Sequence, residues 1–105
     1  MSHILIAGLG DLGTGLAEQL MAGGHRISAI RRGTQAPAGV ELYSQDLTEG
    51  AAMLPPDPVD LLVIIMTPSE YSEEGYLQAF VRAPLTLLEA LGRQQPLPPV
   101  VFVSS

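Results

Sequence analysis

With 105 residues, 47% of them hydrophobic, the chain can bury one modest core and has no room for a second domain. Eleven acidic against five basic residues leave a net charge of −6, which argues against nucleic acid, whose affinity rests on clustered Lys and Arg. Zero cysteines exclude disulfides and thiolate metal sites, the two histidines are far apart, no apolar run approaches roughly 20 residues, and the start MSHILIAG lacks a basic region before its apolar stretch, so a metal-free cytoplasmic protein is expected.

Residues His3 to Ala7 are apolar almost throughout, as suits a parallel strand buried on both faces. The stretch ILIAGLGDLGTG, Ile4 to Gly15, then sets Gly8, Gly10 and Gly13 at the spacing G-x-G-x-x-G between a strand-like and a helix-like run. Gly8 permits a tight turn, Gly10 lets backbone approach a pyrophosphate, and Gly13 lets the helix pack near the strand. A helix starting near Asp11 or Leu12 aims its free N–H groups and positive dipole end at phosphate, so Gly8, Leu9, Gly10, Asp11, Leu12 and Gly13 form the candidate cradle. The same glycines also suit a plain strand-to-helix turn. Leu12, Leu16, Ala17, Leu20 and Met21 recur at helical spacing, and Gly23 and Gly24 close the helix. His25 reads as a solvated turn residue. Ile27 to Ile30 is a second strand that ends at Arg31 and Arg32. An acid there accepts from the ribose of NAD, whereas arginine accommodates the 2′-phosphate of NADP, so the pair predicts NADP in preference to NAD. The alternative is that the two arginines balance an acidic surface.

Gly33 to Gly39 is a loop, Val40 to Tyr43 a short third strand, and Thr48 caps one helical turn running to Met53. Pro55, Pro56 and Pro58 break what precedes them. Leu61 to Met66, the most hydrophobic run, is strand four, ended by Thr67 and Pro68. Glu70, Glu73 and Glu74 form a solvated acidic loop. A helix is expected over 75–91 with Leu77, Val81, Leu85, Leu88 and Leu91 on one stripe and a kink or break at Pro84. Gln94 to Pro99 connects to a fifth strand, Val100 to Val103. Alternating strands and helices with right-handed crossovers predict an α/β fold over 1–105, a Rossmann-type doubly wound parallel sheet in the order 3-2-1-4-5. A dinucleotide would then lie across the carboxyl ends of strands one and four.

From residue 3 to 105 the order of features resembles the amino-terminal part of extended and atypical short-chain dehydrogenases, the NAD-dependent epimerase/dehydratase or nucleoside-diphosphate-sugar epimerase group. Its carriers are GLGDLG at Gly8 to Gly13, RR at Arg31 and Arg32, QDLT at Gln45 to Thr48, and VVFVSS at Val100 to Ser105. The family pattern is G-x-x-G-x-x-G, so the form here fits an atypical branch. The resemblance implies that Asp46, with Leu47 beside it, contacts adenine; Asp46 could equally cap the turn at Thr48. It implies that Thr67 runs beside the cofactor ribose, and that Ser105, or Ser104, polarises the substrate. The expected Tyr-x-x-x-Lys partner is missing, because Tyr43, Tyr71 and Tyr76 are followed four residues later by Leu47, Gly75 and Phe80, and the chain contains no lysine. The expectation is the cofactor-binding part of a longer enzyme, inactive alone, with its small-molecule substrate bound only by the whole enzyme. Strand five would be an uncovered edge prone to self-association. Two other readings are a regulatory dinucleotide-sensing module, disfavoured by Arg31, and the cofactor domain of a β-hydroxyacid dehydrogenase, disfavoured by QDLT and VVFVSS.

Overall fold

The computed structural model describes residues 2–49, 53–66, 72–77 and 81–104. Among these, the apolar runs become β1 (His3–Ala7), β2 (Arg26–Arg31), β3 (Glu41–Ser44), β4 (Leu61–Met66) and β5 (Val100–Ser104). All pairings are parallel and the order is β3-β2-β1-β4-β5, as the alternation of elements predicts. The helices are α1 (Asp11–Ala22), α2 (Glu73–Leu77) and α3 (Ala83–Gln94), with a 3-10 turn at Leu47–Glu49.

Period-two alternation divides the core into two layers. Ile4, Ile6, Ile27, Ala29, Val63 and Ile65 face Ala17 of α1, whereas Leu5, Ala7, Ile30, Leu62 and Ile64 face Leu87 and Leu91 of α3. With a helix on each face, β1 is buried along its whole length. Two polar residues share this interior. His3 Nδ1 lies 2.8 Å from the Pro58 carbonyl, which only accepts, so that nitrogen carries a proton; His3 Nε2 meets the Ser28 hydroxyl at 2.7 Å.

Helix α1 ends as its glycines foretell. Gly24 takes φ +88°, its N–H donates to Met21 O, and His25 N–H donates to Leu20 O, the paired bonds of a Schellman cap. His25 itself is half-buried and its Nδ1 accepts from Ser2 N–H at 3.3 Å, so it is not the freely solvated residue its position suggests. Strand β3 starts at Glu41 rather than Val40, because Gly39 at φ +93° and the bond from Val40 N–H to Pro37 O still belong to the turn.

Of the periodic run expected as one helix over 75–91, the described residues form α2 and α3, with residues 81 and 82 already helical ahead of α3 and Pro84 in its first turn. The buried stripe of α3 is Pro84, Leu87 and Leu91, whereas Leu77, Val81 and Leu85 are exposed. Two glutamines clamp the intervening chain. The Gln95 amide accepts from Val59 N–H and donates to Val59 O, and Gln45 donates to Met53 O and accepts from Met53 N–H.

Candidate functional site

Parallel register brings the carboxyl ends of the central strands to one level. Ala7 stands beside Ile30 on one side and Ile64 on the other, and Arg31 stands beside Ser44. The glycine loop, the arginine pair and the chain leaving β3 therefore share one rim of the sheet. The loop is tied there by Gly8 N–H donating to Ile30 O at 2.9 Å, and the exit of β3 by Gln45 N–H donating to Arg31 O at 2.9 Å. Because β2 and β3 lie on one side of β1 and β4 and β5 on the other, the crossover direction reverses between β1 and β4, and α1 starts above that point.

The three glycines differ in what requires them. Gly8 has φ +99°, and a Cβ there would come within 2.5 Å of Ile65 O at the end of β4. At Gly13 a Cβ would meet Gly8 O at 2.8 Å and Ile65 Cδ1 at 3.1 Å. Packing within the protein thus demands both. At Gly10 a Cβ would meet nothing within 4 Å, and φ −94° suits any residue. Gly10 is the N-cap of α1 and no side chain caps the helix. Its first intrahelical bond is Thr14 N–H to Gly10 O, so the amides of Asp11, Leu12 and Gly13 point out of the helix end. An open, uncapped helix N-terminus with a clear approach fits a pyrophosphate. Asp11 and Leu12 are exposed beside it, while the Leu9 side chain is buried in the α1 layer, leaving only its backbone to the loop.

The two arginines also separate. Arg31, the last residue of β2, is half-buried and donates through Nη1 to Gln35 O at 2.7 Å. The loop wraps it so closely that a Cβ on Gly33 would lie 3.1 Å from its Nε. Arg32 is exposed, and among the described residues its guanidinium has neither a hydrogen bond nor an ion pair. Its backbone is held from the side by Ser44, whose hydroxyl lies 3.2 Å from Arg32 O and 3.0 Å from Gly33 O. Ser44 escapes a motif search because a serine ending a short strand carries no signal until the register places it beside Arg31. At the opposite end of β2, Arg26 is committed to Glu41 and Asp57, each at 2.6 Å. The Arg26 hydrogen bonds hold the Glu41 carboxyl below its ordinary range, and Arg26 is raised in turn, first by Glu41 and then by Asp57.

Asp46 is the residue before the 3-10 turn, and its carbonyl accepts from Glu49 N–H at 3.1 Å. The turn begins at Leu47, so Thr48 lies inside it and not at the position before it, and Met53 is not helical. Leu47 packs against the α3 layer. Thr67, Glu70, Tyr71 and Ser105 lie outside the described residues; Ser104 is the last residue of β5 and stands beside Met66.

No family model and no curated protein matches this sequence. Solved structures do match. Uronate dehydrogenase from Agrobacterium tumefaciens, in a Y136A mutant complexed with NAD, superposes with a TM-score of 0.74 at 26% identity, covering 100% of this chain and 41% of that one. The fold is a Rossmann-like α/β fold. The same arrangement is found in SP1627, described as a putative NADH-flavin reductase, from Streptococcus pneumoniae (TM-score 0.71, 18% identity, 98% of this chain and 47% of that one). It also occurs in a short-chain dehydrogenase/reductase from Burkholderia vietnamiensis (TM-score 0.67, 21% identity, 98% and 65%). This chain therefore spans about two fifths of the length of the uronate dehydrogenase it matches. No helix among the described residues is long and apolar enough to cross a membrane.

Proposed function

We propose that this chain is the NADP-binding part of a cytoplasmic short-chain dehydrogenase or epimerase acting on a sugar nucleotide or a related carbonyl or alcohol substrate. The observation that carries the reading is Gly10. Protein packing accounts for Gly8 and Gly13, but a side chain at Gly10 would collide with nothing in the chain, and beyond a modest N-cap preference it is a ligand approaching the helix end that gives its absence a purpose. The amides after Gly10 would hold the pyrophosphate, and Asp46 would lie toward adenine. Thr67, beyond β4, would run beside the ribose, and Ser105, beyond β5, would meet the substrate. When bound, the nicotinamide supplies a hydride acceptor or donor.

Arg32 supports NADP over NAD. Arg31 already serves the loop that positions its neighbour, while the exposed Arg32 guanidinium is available for a 2′-phosphate. A charge-assisted hydrogen bond contributes about 1.5–3 kcal/mol, roughly a 10- to 150-fold preference. Titration of NADPH and NADH by fluorescence tests it. NADPH should bind the more tightly, and Arg32→Ala should remove most of that margin while leaving NADH binding nearly unchanged. Equal affinities in the unmodified chain would refute the assignment.

The absence of lysine gives the regulatory reading one observation in its favour, since no residue here can lower a tyrosine pKa in the manner of Tyr-x-x-x-Lys. The two readings diverge on turnover in the intact protein that carries this sequence.

A further inference from the structure

The geometry points to Ser44 as a positioning residue for Arg32, and so as a determinant of the choice between NADPH and NADH that acts through Arg32 and not on the cofactor. This rests on the reading of Arg32 as the ligand of the 2′-phosphate. Register sets Ser44, the last residue of β3, beside Arg31, the last residue of β2. The backbone ladder between the two strands ends one step later, where Gln45 N–H donates to Arg31 O at 2.9 Å. Beyond that bond the chain leaves the sheet. The carbonyls of Arg32 and Gly33 would then be free to turn, but the Ser44 hydroxyl lies 3.2 Å from Arg32 O and 3.0 Å from Gly33 O and shares its one proton between them.

These bonds bracket one Cα. A peptide unit is planar, so fixing its carbonyl fixes the plane. The plane before Arg32 is held through Arg31 O and the plane after it through Arg32 O, by the consecutive residues Gln45 and Ser44. With both planes set, the backbone angles of Arg32 are set, and the Cα–Cβ bond that carries the guanidinium has one direction. Arginine must still order a long side chain to meet a phosphate, and a base that also moved would add backbone entropy to that cost. The far side of the turn is held by Arg31, through Nη1 donating to Gln35 O at 2.7 Å. Arg31 thus secures the end of the turn and Ser44 its start.

Stability does not account for Ser44. Its side chain is exposed, and among the described residues it bonds only to the carbonyls of Arg32 and Gly33. Water can satisfy both carbonyls once the hydroxyl is gone. Removing it should therefore free the turn while leaving the folded state nearly as stable.

Equilibrium titration of NADPH and NADH against Ser44→Ala and Ser44→Thr tests the role. Ser44→Ala should bind NADPH roughly three- to tenfold more weakly, the loss expected of one neutral hydrogen bond, and NADH as tightly as the parent does. Ser44→Thr keeps the hydroxyl and should keep the preference for NADPH. In an Arg32→Ala background, Ser44→Ala should change NADPH affinity no further, because nothing is left to position. Equal weakening of both cofactors by Ser44→Ala, an unchanged preference in that variant, or a further loss on top of Arg32→Ala overturns the proposal. The tether is also read without ligand. The sequence has five arginines and no lysine, so trypsin cleavage after Arg32 is resolved by fragment mass. Ser44→Ala should speed that cut severalfold and Ser44→Thr should not, with cleavage after Arg93 as the unchanged control. A parent that binds both cofactors equally, with the faster cut in Ser44→Ala, sinks the NADP assignment and keeps Ser44 as the residue that fixes Arg32. A cut no faster in Ser44→Ala overturns the positioning role whichever cofactor binds.

Discussion

At the residue scale, the glycine fingerprint consists of two structural demands and one vacancy, and the three can be told apart by substitution. Gly8→Ala forces a Cβ into Ile65 O at φ +99°, a backbone angle alanine rarely adopts, and should cost about 1–3 kcal/mol of stability. Gly13→Ala should also destabilise, because one of its close contacts is backbone and cannot swing aside. Gly10→Ala behaves differently. Its backbone angles suit alanine and the added methyl enters open space. The small loss of N-cap preference is roughly offset by the lower entropy of the unfolded chain, so the urea midpoint should stay nearly constant. NADPH affinity should nevertheless fall about tenfold or more, since the methyl stands where the pyrophosphate must approach. A Gly10→Ala protein that is fully folded and binds NADPH normally would show that the loop is only a turn.

At the element scale, most of the architecture is legible in the sequence, because parallel central strands are written as continuous apolar runs and helix α1 as an amphipathic period closed by Gly23 and Gly24. What is not legible follows from contacts between distant elements. Periodicity places Leu77, Val81, Leu85, Leu88 and Leu91 on one stripe, yet Pro84, Leu87 and Leu91 are the buried residues of α3 while Leu77, Val81 and Leu85 are exposed. Likewise RR at the end of β2 is visible as a pair, but the division of labour between Arg31 and Arg32 depends on Gln35, Gly33 and Ser44 folding back against them. The same holds for Arg26, whose partners Glu41 and Asp57 come from two other segments. That cluster has a measurable signature. Glu41 is held below its ordinary value of 4.5 in the folded chain, so its pairing adds stability above that pH and loses it as pH falls through the lowered value. Glu41→Gln should therefore be less stable than the parent at pH 7, with the gap in urea midpoint closing toward pH 3. The side chains are 31% and 41% exposed, so the gap should be modest and should shrink in high salt. A gap that stays constant across this range would mean that Glu41 acts through packing and not through charge.

At the scale of the whole molecule, binding and chemistry are separable. A Rossmann sheet with an open helix end supplies a place for a dinucleotide, but an alcohol or carbonyl can be reduced or oxidised only if a group near the nicotinamide gives or takes a proton. Tyr43 is half-buried against the α3 layer, and no tyrosine in the chain has a lysine at any spacing. The 105-residue chain is thus expected to bind NADPH without consuming it. At a ligand concentration of 100 times the dissociation constant, linkage predicts about 2.7 kcal/mol of added stability, which should appear as a clear rise in the melting temperature with NADPH. Absorbance at 340 nm should meanwhile stay flat over hours with sugar nucleotides or simple aldehydes present. Thermal protection without oxidation would place the chain among cofactor-binding units that need a partner segment for catalysis. Steady NADPH oxidation that Arg32→Ala slows would instead require an acid–base group drawn from residues other than a Tyr-x-x-x-Lys pair, and the division between binding and chemistry would have to be redrawn.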